Sequence, residues 1–231
     1  MTTTKTISIV ENLGSKTPST VDAPPNCRRC PRLNAFIRQI RRDEPNWYNR
    51  PVNTWLPLGG QTSVTLLIIG LAPGMRGANR TGLPFTGDAS GDLLFSVLTS
   101  LGHATECDGG FQLHGTAITN AVRCVPPQNK PTAAETANCR DKYLKPTLRQ
   151  FPNLQKIVTL GRLAHDATVK ALGEEPKHHP FGHGKGFVFS SPTRSMSLTA
   201  SYHCSRYNQN TGRITFQMLR DVFTVPVVAE P

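Results

Sequence analysis

Residues 64–69 read Val-Thr-Leu-Leu-Ile-Ile, an apolar, β-branched run without the alternation of a half-solvated strand. A strand of that kind must be covered on both faces, which points to helices on each side of a mainly parallel sheet. Similar runs follow at Thr116 to Val122, Lys156 to Leu160 (closed by Gly161) and Met196 to Ala200. Between them apolar residues recur at helical spacing: Leu93, Leu94, Val97, Leu98 and Leu101; a stretch from Thr132 to about Gln150; Leu163, Ala167 and Leu172; and Ile214 to Phe223. Strand and helix alternate, so the expected fold is α/β, a three-layer α/β/α sandwich with a central, mainly parallel four-stranded sheet.

Ahead of the first strand, Leu33, Phe36, Ile37 and Ile40 mark one helix face, with Arg38, Arg41 and Arg42 off it and Pro45 ending it. Residues 45–63 read as a loop anchored by Trp47, Tyr48 and Trp55, and residues 173–186 as an irregular loop carrying His178, His179 and His183, to which no metal is assigned. Residues 1–25, rich in Thr, Ser and Pro, read as a flexible tail before one domain over residues 26–225.

The first strand runs into a loop punctuated by Gly70, Pro73, Gly74, Gly77 and Gly82, where the backbone can approach a ligand closely. It lacks the Gly-Lys-Ser/Thr ending of a phosphate-binding P-loop and the G-x-G-x-x-G spacing of a dinucleotide site. It carries Arg76, Asn79, Arg80, Phe85 and Asp88, and a helix begins near Ala89 with Asp88 or Ser90 as its cap. On residues alone, a ligand cradle and a plain chain reversal account for this segment equally well.

Lys and Arg outnumber Asp and Glu by 26 to 15, a formal net charge of +11, which suits a polyanionic partner and nucleic acid first. No run approaches the ~18 apolar residues of a membrane span, and the first residues lack a signal-peptide core, so a cytoplasmic protein with no membrane partner is expected. In that compartment the six cysteines argue against a disulfide framework. Cys27-Arg-Arg-Cys30 is a C-x2-C pair, and Cys124 with Cys139 forms a second, wider one. Four thiolates could hold a structural zinc or a [4Fe–4S] cluster, and spacing does not choose between them.

Three segments together resemble the iron–sulfur branch of the uracil-DNA glycosylase superfamily, its family 5 or type B. They are Gly70-Leu-Ala-Pro-Gly74 continuing through Asn79 to Gly82 and Pro84 to Asp88; Ala121-Val-Arg-Cys124 through Pro131; and Ser201-Tyr-His-Cys-Ser-Arg206 with Arg213 beyond. The resemblance implies a monofunctional, monomeric repair enzyme that flips uracil, and other deaminated bases such as hypoxanthine, out of DNA and hydrolyses the N-glycosidic bond. It also implies a prokaryotic, nucleoid-associated setting and a [4Fe–4S] cluster on Cys27, Cys30, Cys124 and Cys139. The chain departs from relatives at Leu71, where family 4 has glutamate; at Cys204, where proline is usual; and at Met75-Arg76, in place of an Ala-His pair.

On that reading Asp88, His203 and Asn129 are the catalytic candidates: Asp88 handles water, His203 hydrogen-bonds the base oxygen as charge develops, and Asn129 contacts base or water. Gly70, Leu71, Ala72, Gly74, Phe85 and Asn120 would form the base pocket, with Phe85 stacking and Asn120 rivalling Asn129 as base reader. Arg76, Arg80, Ser205, Arg206 and Arg213 would contact the DNA backbone. The rival is a non-catalytic iron–sulfur protein that binds or senses damaged DNA.

Overall fold

The computed structural model describes residues 21–191 and 194–227. Its elements, in order, are α1 (Pro31–Asp43), β1 (Leu66–Gly70), α2 (Ala78–Thr81), α3 (Ala89–Ser100), β2 (Ala104–Cys107), β3 (Gly110–Leu113), β4 (Thr116–Asn120), α4 (Ala133–Cys139), α5 (Lys145–Arg149), β5 (Lys156–Leu160), α6 (Arg162–Leu172), β6 (Gly186–Ser191), β7 (Arg194–Ser201), α7 (Arg206–Asn210) and α8 (Phe216–Thr224). A π-helical turn, Arg140–Leu144, joins α4 to α5.

The central sheet has five strands in the order β4-β1-β5-β7-β6, not the four expected. Four are parallel, and the fifth, β6, pairs antiparallel with β7 at the edge. The sequence reading stopped the loop at Gly186 and assigned no strand to the Phe187–Ser190 stretch that follows. Antiparallel edge strands are short and need only a hairpin partner, so no long apolar run announces them. The small β2–β3 hairpin and the single turn α7 escaped for the same reason.

Strand β1 is buried along its length, as its apolar run requires. Its side chains alternate between two cores. Leu66 and Ile68 face Phe95, Leu98 and Leu219 of α3 and α8, together with Trp55. Leu67 and Ile69 face Leu144, Leu148 and Ala167 on the other side. Each such aliphatic side chain removed from water contributes about 1.5–3 kcal/mol, so the two-sided burial of β1 holds the three layers together. The expected face of α6 is rotated: Leu163 is 53% exposed, whereas Ala164, Ala167 and Ala171 are buried. Small residues let that helix lie close to the sheet.

Helix α1 buries Leu33, Ile37 and Ile40, three of its four expected face residues. Residues 1–20 of the expected tail lie outside the described residues. Ala23, inside that expected tail, is buried, and its backbone exchanges two hydrogen bonds with the Asn53 side chain. Among the described residues no helix is long and apolar enough to cross a membrane.

Candidate active site and cysteine centre

Register in the parallel sheet gathers the site. Gly70 at the end of β1 pairs with Asn120 at the end of β4, and Leu160 at the end of β5 pairs with Ser201 at the end of β7. The loops leaving these strands therefore emerge at one edge, the usual ligand edge of an open α/β sheet. Phe85 reaches back to it from the loop before α3. Its φ of +56° lies in the left-handed region, a conformation of order 1–3 kcal/mol for a non-glycine residue that persists only where the surroundings impose it. That turn aims the ring at Gly70: a Cβ placed on Gly70 would stand 2.6 Å from Phe85 Cζ and 2.5 Å from Asn120 Oδ1. The His203 ring lies 6.1 Å from the Phe85 ring, centroid to centroid, inclined by 31°.

Gly70→Ala follows as a prediction. The methyl group would displace both the stacking ring and the carboxamide, so base release should fall roughly tenfold or more, beyond the ~1–3 kcal/mol stability loss typical of overpacking. Saturation kinetics beside a melting curve check it, and an unimpaired rate would contradict the placement of both side chains.

Asp88 caps α3. Its Oδ1 accepts hydrogen bonds from the amides of Ser90 (3.0 Å) and Gly91 (3.2 Å). Its Oδ2 takes no protein hydrogen bond among the described residues and faces Gly74 and Gly77, where any added Cβ would crowd it. Glycine at Gly77 is required for that close approach. The loop thus wraps a carboxylate with one oxygen engaged and the other free.

The His203 ring likewise makes no hydrogen bond among the described residues, although its backbone carbonyl accepts from Asn208 Nδ2 at 2.8 Å. Burial lowers its pKa from the ordinary histidine range, only partly offset by the Asp88 carboxylate. At neutral pH the imidazole is neutral, a hydrogen-bond donor without net charge. Cys204, the residue after His203, is buried in the core beneath this loop, and its carbonyl accepts from Gln209 Nε2 at 2.7 Å.

The remaining expected site residues divide. Leu71 and Ala72 follow β1 directly and are half-buried, and Ala72 packs toward the cysteine cluster. Asn120 is 2% exposed and converges on Gly70, whereas Asn129 is exposed on a 3-10 turn with φ of +57°, and among the described residues its side chain makes no hydrogen bond to that pocket. Of the two rivals, Asn120 is the one brought to the pocket. Arg76 and Arg206 are exposed. Arg80 is committed to its own loop, with Nε donating to Arg76 O at 2.8 Å. Arg213 lies over the Tyr202 ring at 4.7 Å, which fixes its place beside the His203 loop. Ser205 caps α7. Tyr207, unremarked in sequence, is 73% exposed on α7, four residues after His203; its place directly behind Ser205-Arg206 was the available signal.

The loop histidines are spent on the fold. His179 packs edge-on to Phe187 at 5.1 Å and approaches Glu174 at 3.6 Å, and His183 accepts from the Tyr202 amide at 3.2 Å. Burial lowers the pKa of His103, His165, His183 and His203 alike. Each therefore takes up a proton more readily in the unfolded chain, and stability rises with pH through the window below the ordinary value of about 6.5. The thermal midpoint should be level above that value and drop as the solution is acidified below it. A midpoint unchanged down to roughly pH 5 would contradict this.

Just beyond the same end of β4, Cys27, Cys30, Cys124 and Cys139 line one cavity, together with Tyr143 and Arg123. Cys27 and Cys30 stand just before α1, with Cys30 as its N-cap residue; Cys124 follows β4; and Cys139 ends α4. Arg32 clamps α1 to α4 through a forked pair with Glu135, at 2.8 and 2.6 Å, and this arginine holds the Glu135 carboxyl below the usual range. Three sulfurs receive protein contacts: Cys27 from Tyr143 Oη (3.3 Å), Cys139 from the Arg123 amide (3.2 Å) and Cys30 from Asn138 Nδ2 (3.9 Å). Burial pushes the thiols of Cys30, Cys124 and Cys139 up, Cys139 to about 11, and the neighbouring cysteines add to the effect on each. Among the described residues no three His, Cys, Asp or Glu side chains close on a single-ion position.

Comparison with known proteins identifies the family of the chain. The family model for the Uracil DNA glycosylase superfamily matches residues 57–224. The type-5 uracil-DNA glycosylase of Thermus thermophilus is 39% identical over 206 residues, covering 85% of this chain and 90% of that protein. That of Pyrobaculum aerophilum is also 39% identical over 206 residues, covering 85% and 86%. The type-4 uracil-DNA glycosylase of Archaeoglobus fulgidus is 32% identical over 133 residues, 57% of this chain and 61% of that protein.

Proposed function

The chain belongs to the uracil-DNA glycosylase superfamily, and from that premise we propose that it is a monofunctional DNA repair glycosylase that excises uracil. The observation that carries the mechanism is the split role of Asp88, one oxygen capping α3 and the other free against Gly74 and Gly77, with its charge felt at His203.

Hydrolysis breaks the bond between the sugar C1′ and the base nitrogen. Water delivers hydroxide to C1′, and its proton goes ultimately to the departing base. The transition state carries positive charge on the sugar and negative charge on the base. Asp88 Oδ2 is placed to orient the water and to stabilise the cationic sugar, while Oδ1 stays fixed by the helix amides. The neutral His203 imidazole donates to the base oxygen as charge grows there, and a preorganised donor of this kind lowers a barrier by about 3–4 kcal/mol. Phe85 supplies the stacking face that replaces the neighbours lost on flipping. Asn120 reads the base edge with a carboxamide held at the end of β4. Exposed Arg76, Arg206 and Tyr207 surround the His203 loop and Gly-rich loop with cationic and flat surfaces suited to a distorted duplex. Every proposed group of the site comes from one chain, which supports reading the enzyme as a monomer.

Cys27, Cys30, Cys124 and Cys139 would hold the [4Fe–4S] cluster. Four cysteines lining one cavity supply the donor set that such a cluster takes, and Arg123 N and Asn138 Nδ2 donate to two of the sulfurs, a pattern that favours thiolates. When bound, the cluster supplies a cationic core that cross-links the segment before α1 to the β4–α4 region. Iron, sulfide and a brown absorbance in protein purified without air are expected, and zinc in fresh protein would contradict this assignment.

Leu71 offers no polar group to discriminate among bases, so the range extends to deaminated purines such as hypoxanthine. A panel of duplexes bearing uracil, hypoxanthine or xanthine tests the function and its breadth. Release from uracil alone would confine the range, and tight binding without release of any base would favour a damage-binding protein.

A further inference from the structure

Arg123 is the largest fully buried side chain among the described residues, with no exposed surface, and the sequence reading gave it no role at the site. A cation taken out of water costs several kcal/mol unless compensated, and the usual compensation is a carboxylate. Arg123 has none within ion-pair distance among the described residues, and its Nε has no hydrogen-bond partner. Asp22 is an acid whose charge it feels, but no ion pair joins the two: burial raises the pKa of that carboxyl, and its Oδ1 has no hydrogen-bond partner. The guanidinium is left with two neutral acceptors, Asn120 O at 3.0 Å and Thr147 Oγ1 at 2.9 Å.

The missing negative charge lies in the cavity it lines with the four cysteines. Its own amide donates to Cys139 Sγ. Through Thr147 it reaches Tyr143, whose carbonyl accepts from Thr147 Oγ1 at 2.7 Å and whose hydroxyl contacts Cys27 Sγ. Four thiolates around a [4Fe–4S] core carry net negative charge, and this side chain carries an unbalanced positive one. On the far side, its fork grips the carbonyl of the residue that reads the base.

We propose that Arg123 is a positioning residue that couples the cysteine-held cluster to the base pocket, its buried charge balancing the cluster and its fork fixing the Asn120 backbone. The inference rests on the [4Fe–4S] reading, which iron analysis of the wild type decides separately: a wild type without iron overturns both. In iron-bearing protein purified without air, Arg123→Met should lose iron, or keep a cluster whose reduction potential is shifted to more negative values. Arg123→Lys should restore iron content and potential, because the cation returns. Its single ammonium cannot span Asn120 O and Thr147 Oγ1 as the fork does, so its base release should remain roughly tenfold slower, a loss read in kcat at full iron occupancy. Wild-type iron content, potential and rate in Arg123→Met would overturn the proposal. If that variant does not accumulate as folded protein, Arg123→Lys decides alone: normal iron with slower release supports the coupling, and a wild-type rate overturns it.

Discussion

Replacing Asp88 with asparagine is expected to slow base release by about 10²–10⁴-fold, the range of a positioned proton-handling group, with little change in stability. The pairing of outcomes follows from the two oxygens. Asparagine is as good an N-cap as aspartate, so its Oδ1 can keep the bonds to Ser90 and Gly91 that start α3. What it lacks is the negative charge at the free position wrapped by Gly74 and Gly77. Asp88→Ala should lose the same rate and, in addition, about 1 kcal/mol of stability from the missing cap. Single-turnover assays and melting curves on the two variants separate the roles. Equal destabilisation of both, or a near-wild-type rate in Asp88→Asn, would show that the carboxylate only caps.

His203→Ala should cost about 10²–10³-fold in kcat with little change in KM, because the donor meets charge that exists only in the transition state. The residue sits at a half-buried edge and makes no side-chain hydrogen bond among the described residues, so the fold has little to lose. Its depressed pKa means that the neutral form acts through neutral pH; acidification below the ordinary histidine range is needed before it charges. A variant impaired equally in kcat/KM through KM alone would assign His203 to ground-state binding instead.

The legible parts of this chain were those with local causes. An apolar run without alternation announced β1, and the Asp-x-Ser-Gly start announced the cap of α3, because strand burial and capping are written in neighbouring residues. Thr132 with Glu135 likewise forms the capping box that opens α4 where the loop was expected to end. The choice between Asn120 and Asn129 was not legible, since it depends on the register of β4 against β1, a pairing across some fifty residues of sequence. Edge strand β6 was hidden for a related reason: its Phe187 and Phe189 look like loop residues between Gly186 and the Ser-Pro that follows until β7 pairs with them. Arg123 reads as one more surface arginine in a basic chain, and only the packing around it reveals a buried charge.

The central claim is that the Gly70 edge is a site for hydrolysing the N-glycosidic bond of uracil in DNA. Incubating excess wild-type protein with a duplex carrying one uracil, and identifying the released base by mass alongside alkali cleavage of the strand, tests it most directly. The account predicts free uracil and an alkali-labile abasic site in equal amounts, with no strand break before alkali. A duplex that is bound but returned intact would contradict it.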